Sequence, residues 1–202
     1  MSTDLHTVDT TGGTTMRMGK RVAVAGSVLA LGGFIAGLTP AQAAPSGAQA
    51  IKYHFVFDKK TNTDSRLILV KTQPNKPAQK VASWRAGSGT TTDSCKKNKG
   101  WLPNGTYEIK RYNTNYNGSL IKGYAFQLSD KRCKPGGTLR DELFIHSEMK
   151  KDGNQGNTEA TRWDGNSDYK SAGCIKLKPS DIRSVYKAAK NVGFPRTLKV
   201  VS

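Results

Sequence analysis

Ser171-Ala172-Gly173-Cys174-Ile175-Lys176-Leu177 sets one cysteine between a glycine and a short run in which Ile175 and Leu177 alternate with lysines. Alternation of this kind marks a strand with one buried face, so the thiol stands at the mouth of a rigid element. Gly173 lets the backbone come close to another molecule, and Ser171 adds a hydroxyl nearby. The N–H groups of Gly173 and Cys174 are candidates to hold a tetrahedral oxyanion. A thiol becomes nucleophilic as a thiolate and needs a base to get there. Beyond the first 43 residues the chain has two histidines, His54 and His146. His54 lies among aromatic residues of an alternating run and is read as structural. His146 follows the apolar Leu143-Phe144-Ile145 and opens a loop, so it is the candidate base for Cys174.

Working outward, the segment from Ile51 alternates Tyr53, Phe55 and Phe57 with His54 and Val56, then meets a polar turn at 58–64 and a second apolar run, Arg66 to Val70. Together these predict a β-hairpin. Pro74 and Pro77 interrupt the next segment, and Val81 to Arg85, Thr106 to Arg111, Tyr124 to Leu128, Glu142 to Ile145 and Thr197 to Val201 are further strand candidates. One segment predicts a helix. Pro179-Ser180-Asp181 starts it, with Ser180 as the N-cap and Asp181 in the first turn. Ile182, Val185, Tyr186 and Ala189 then form one apolar stripe, and Gly193 marks the stop. The expected fold class is mainly β with one helix in the C-terminal region.

At the other end, Arg17, Lys20 and Arg21 precede an uncharged apolar stretch, Val22 to Leu38. Thr39-Pro40 and the small-x-small triplet Ala41-Gln42-Ala43 come next. This is the pattern of a secretory signal peptide over residues 1–43; a membrane anchor is the alternative, since the stretch approaches the length that spans a bilayer. Ala48-Gln49-Ala50 repeats the triplet and leaves the cleavage position open. Residues 44–50 read as a short linker and 51–202 as one domain, long enough to bury a core. Cleavage removes three basic residues (Arg17, Lys20, Arg21) and two acidic ones (Asp4, Asp9), so the formal charge of +17 becomes +16. Such a charge suits a polyanionic environment, and for an exported chain with no membrane attachment that means anionic wall polymers. No module for nucleic acid is visible.

Three cysteines in an exported protein leave one unpaired. Connectivity is not fixed by sequence, but Cys95 and Cys133 both sit in Lys- and Gly-rich loop segments suited to a disulfide, which makes Cys174 the odd thiol. One histidine, one cysteine and no Cys-x-x-Cys pair give too few ligands for a metal site.

These residues resemble the L,D-transpeptidase catalytic domain, the YkuD-type cysteine enzymes of peptidoglycan. The likeness rests on His146 at a strand end, a variable loop, then Ser171, Gly173, Cys174, Ile175 and Lys176. Leu102-Pro103-Asn104-Gly105-Thr106-Tyr107 is similar to the family's Thr-Pro-x-Gly-x-aromatic segment, and Ala86-Gly87-Ser88-Gly89 to the small-residue end of the strand before it. The resemblance covers 51–202 and implies a β-sandwich or barrel with a helix packed on it. It also implies a secreted or wall-associated enzyme without a cofactor, which forms L,D cross-links between peptidoglycan stem peptides through a Cys174 thioester. The same residues with water as acceptor make an L,D-carboxypeptidase; a catalytically silent, cationic wall-binding protein is the other alternative. In the family a backbone carbonyl just after the histidine orients the imidazole, which maps to Ser147. Ala172 stands where many members have histidine, leaving His146 as the base. Lys176 stands where arginine is frequent, and Leu102 where threonine is usual. The long loop 147–170 carries Trp163, which joins Ser171 and Lys176 as a candidate substrate contact.

Overall fold

The alternation that begins at Tyr53 builds the first hairpin. In the computed structural model, which describes residues 50–202, β1 (Lys52–Asp58) pairs antiparallel with β2 (Ser65–Gln73), Phe55 opposite Leu69 and Phe57 opposite Leu67. All four side chains are fully buried. The expected signal peptide and residues 44–49 of the linker lie outside the described residues.

β3 (Lys76–Ser88) runs longer than the sequence suggested, straight through Pro77. Gln73 pairs with Lys76 and Lys71 with Gln79, so two residues, Pro77 and Ala78, face Thr72 alone. This bulge is where a residue without an N–H is tolerated in a sheet. β4 (Gly105–Asn117) likewise extends past Arg111, with irregularities before Arg111 and before Tyr116, and pairs with β5 (Lys122–Leu128). The two-residue strands β6 (Lys131–Arg132) and β7 (Leu139–Arg140) form a small separate sheet. β8 is Phe144–His146, shorter than expected because Glu142 has φ of 51°, which no strand accommodates. β9 is Ile175–Lys176, and β10 (Thr197–Val201) comes after the helix.

Eight strands close into a barrel in the order β1-β10-β4-β5-β8-β9-β3-β2. Two pairings are parallel, β1 with β10 and β8 with β9; the others are antiparallel. The core holds Phe55, Phe57, Leu69, Tyr107, Phe126 and Ile145, among others. Tyr107 is pinned at the wall by donating its hydroxyl to the Pro103 carbonyl at 2.7 Å, which fixes the Pro103–Gly105 turn.

α1 (Pro179–Asn191) covers the barrel with Ile182, Val185 and Ala189, all buried. Ser180 is not its N-cap. Lys178 takes that position without a side-chain bond, and Pro179 occupies the first helical position, where its missing N–H costs nothing. The stop is as expected. Gly193 (φ 82°) donates to the Lys190 carbonyl and Phe194 to that of Ala189, a Schellman ending.

Cys95 and Cys133, 38 residues apart, form the disulfide, and Cys174 is free. Closing a loop of that length removes chain entropy worth about 2–4 kcal/mol. A Cys95→Ser/Cys133→Ser variant should lose that amount in urea unfolding. An unchanged midpoint would mean that the two loops hold each other without the bond.

Candidate active site

Parallel pairing of β8 with β9 makes the site. Ile145 registers with Ile175 and His146 with Lys176. In-register residues of a parallel pair project to the same side, and successive residues alternate. Ile145 and Ile175 therefore enter the barrel core, while Phe144, His146, Cys174 and Lys176 share the opposite face. Phe144 and Cys174 form a second apolar cluster there with Ala125, bordered by the partly buried Tyr116 and Ile121. The Tyr116 and Phe144 rings lie 5.3 Å apart. Tyr116 and Ile121, at the tip of the β4–β5 hairpin, thus border the cluster to which Cys174 belongs. No local pattern in the chain pointed to them.

Cys174 is 8% exposed, with its thiol 3.6 Å from the Glu142 carbonyl. The loop before it is tied to the barrel by two serines. Ser171 Oγ accepts from the N–H groups of Gly89 (2.9 Å) and Gly173 (3.0 Å) and donates to the Cys174 carbonyl (2.7 Å). Ser88 Oγ donates to the Gly173 carbonyl (3.1 Å) and accepts from Leu102 N–H (3.0 Å). The Ser171 hydroxyl and the Gly173 N–H are thereby engaged with each other, in shaping the loop.

His146 is also 8% exposed. Its Nδ1 lies 3.0 Å from the Ser147 carbonyl oxygen. A carbonyl can only accept, so Nδ1 carries the proton and the lone pair is on Nε2. Burial, then the Lys176 ammonium, push the imidazole down to about 3, against the bond to Ser147. Burial pushes the Cys174 thiol up to about 11, opposed by the Phe144 N–H, Arg140 and Lys176. The resting pair at neutral pH is therefore a thiol and a neutral imidazole.

Lys176 faces His146 and is ion-paired with Glu148, both largely buried. One Glu148 oxygen, Oε2, has no hydrogen-bond partner, nor does the buried Ser147 hydroxyl. Trp163 stands elsewhere. It packs edge-on against Tyr169, centroids 4.8 Å apart, and with Arg85, Asp164, Asn166 and Lys178 lines a recess of about 380 Å³ that includes neither Cys174 nor His146. A residue that sequence reasoning passed over, Arg140, is 2% exposed and reaches the loop before Cys174, donating to the Ala172 carbonyl at 2.9 Å. Among the described residues no group of three or more His, Cys, Asp or Glu is placed to hold a metal ion.

The depressed imidazole has a consequence for stability. Unfolded His146 takes up a proton near pH 6.5, whereas the folded one does so only near 3. Between those values the unfolded state binds the extra proton, so stability falls as pH drops below about 6.5. The buried Glu148 carboxyl, raised by burial, acts in the opposite sense. The Tm of His146→Gln should therefore decline less between pH 7 and 4.5 than that of the wild type. Parallel Tm profiles would show that the imidazole titrates normally.

A β barrel that lines up a buried thiol, a neutral imidazole and an orienting carbonyl has the parts of a cysteine acyl-transfer site. Residues 52–200 match the YkuD family, the L,D-transpeptidase catalytic domain, and the chain belongs to that family. A comparison with curated proteins gives no match. Among solved structures, the helical cell shape determining protein Pgp2 from Campylobacter jejuni is similar, at 19% identity and a TM-score of 0.47 over 78% of this chain and 51% of that one. The chain thus spans about half the length of that protein.

Proposed function

We propose that the protein is a secreted cysteine acyltransferase that forms L,D cross-links between peptidoglycan stem peptides. Cys174 is the nucleophile and His146 the base. Nε2 of His146 takes the thiol proton as the sulfur attacks the carbonyl carbon at the L,D junction of a tetrapeptide stem. The C–N bond breaks, the proton passes to the leaving amine, and the terminal D-residue departs, leaving a thioester. An amine from a neighbouring stem attacks the thioester carbonyl and gives its proton to Nε2; the new amide forms and the sulfur recovers its proton. The Ser147 carbonyl keeps the imidazole in the tautomer this requires.

The observation that supports this reading is the placement of a free thiol and an Nδ1-protonated histidine on one face of two parallel strands. Its test is the mass of products formed from tetrapeptide muropeptides by the protein without residues 1–43. Loss of the terminal residue with dimer formation means transfer. Bare tripeptide means that water is the acceptor and the protein is an L,D-carboxypeptidase. No change with folded protein moves the weight to a cationic wall-binding protein. On the transfer reading Lys176 holds a substrate carboxylate only after releasing Glu148, whereas Tyr116 and Ile121 are ready to contact the stem.

A further inference from the structure

Arg140 ends β7 and is buried, yet it has no carboxylate among its hydrogen-bond or ion-pair partners in the described residues. Its guanidinium donates instead to four backbone carbonyls. Nη1 reaches Ser94 (2.7 Å) and Trp101 (3.3 Å), and Nη2 reaches Gly100 (3.3 Å) and Ala172 (2.9 Å). Asp141 and Asp93 lie near enough to favour the charge without touching it, and it stays charged, because arginine does not lose its proton in proteins. The cation lies directly against the nucleophile loop: a Cβ built on Gly173 would sit 2.0 Å from Nη2.

Both ends of this cradle are tied by the disulfide. Cys95 follows Ser94, one of the acceptors. Cys133 follows β6, whose Lys131 pairs with Arg140 itself. Cys95–Cys133 thus fastens the acceptor loop to the strand pair that presents the guanidinium. The charged or titratable groups around Cys174 are Arg140 from β7, Lys176 from β9, His146 from β8 and Glu142 from the segment before β8. Of the two cations, Lys176 is ion-paired with Glu148, so Arg140 is the one not offset by a carboxylate contact.

We propose that Arg140 is a positioning residue, which fixes the Ala172–Cys174 loop and supplies the positive charge against which the Cys174 thiolate forms, and that the Cys95–Cys133 disulfide holds it in place. This rests on Cys174 being the reactive thiol but not on any particular acceptor. The test is the pH profile of iodoacetamide alkylation of Cys174 in native, oxidised protein, a readout that needs no peptidoglycan. Arg140→Gln should raise the midpoint by about one pH unit or more and slow alkylation at pH 8 about tenfold. Arg140→Lys keeps the charge but not the four-carbonyl fork, and its midpoint should fall between those of wild type and Arg140→Gln. Cys95→Ser/Cys133→Ser should shift the midpoint in the same direction, and by less once Arg140 is already glutamine.

An unchanged profile in a cooperatively folded Arg140→Gln overturns the proposal. If that variant does not fold, unchanged midpoints in both Arg140→Lys and the double serine variant overturn it equally. A wild type that alkylates as expected but leaves muropeptides untouched would sink the acyl-transfer function and leave the role of Arg140 standing.

Discussion

Replacing Cys174 with alanine should abolish turnover of tetrapeptide stems, by on the order of 10⁶-fold if it acts as the nucleophile of a cooperating pair, while the protein still folds. Folding should survive because the thiol contributes little to packing. Cys174 belongs to the minor apolar cluster with Ala125 and Phe144, outside the main core. Removing one sulfur there costs about 1 kcal/mol. Muropeptide mass spectrometry on wild type and Cys174→Ala at equal concentration, with a thermal melt of each, is the measurement. Retained turnover in a folded Cys174→Ala would remove the proposed nucleophile, and the role assigned to His146 with it.

Gly173→Ala is expected to cost both stability and activity, about 3 kcal/mol in unfolding free energy. Two effects add. Gly173 has φ of 127°, a conformation that side chains rarely adopt. The new methyl would also lie 2.0 Å from Arg140 Nη2 and 3.0 Å from the Gly100 carbonyl. Arg140 cannot swing aside without giving up its carbonyl acceptors. Gly136→Ala is the control, since its φ of 69° is also left-handed but nothing lies within 4 Å of the added methyl; it should cost about 1–2 kcal/mol. Urea unfolding of both variants separates strain from clash. Equal losses would mean that the guanidinium yields freely and that the loop is not clamped.

The elements legible in the sequence were those whose pattern is local. The β1–β2 hairpin and α1 showed as alternation and as an apolar stripe, and Cys174 and His146 stood out as candidates because the chain is poor in both residue types. What stayed hidden depends on neighbours far along the chain. Pro77 looked like a strand breaker until β2 supplied the bulge that excuses it. Arg140 is one of 32 basic residues, and nothing local distinguishes it, because its partners are carbonyls on loops at 94–101 and 172. Ser171 and Lys176 were visible as polar residues near the thiol, but the engagement of one within its loop and of the other with Glu148 came from the fold. Trp163 was noticed for its aromaticity in a long loop, and the structure sets it in the recess beside Arg85 and Tyr169.

The seam between β1 and β10 joins residues 55–58 to 198–201. Contacts so distant in sequence form late and slowly. Until β10 exists, β1 and β4 both present an open edge, and Leu198 and Val200 are missing from a core that otherwise surrounds Phe55 and Phe57. A nascent chain that has already made Cys174 therefore still lacks the last stave of the barrel carrying it. Closure of the barrel therefore waits for residues 197–201, whatever else of the sheet has already formed.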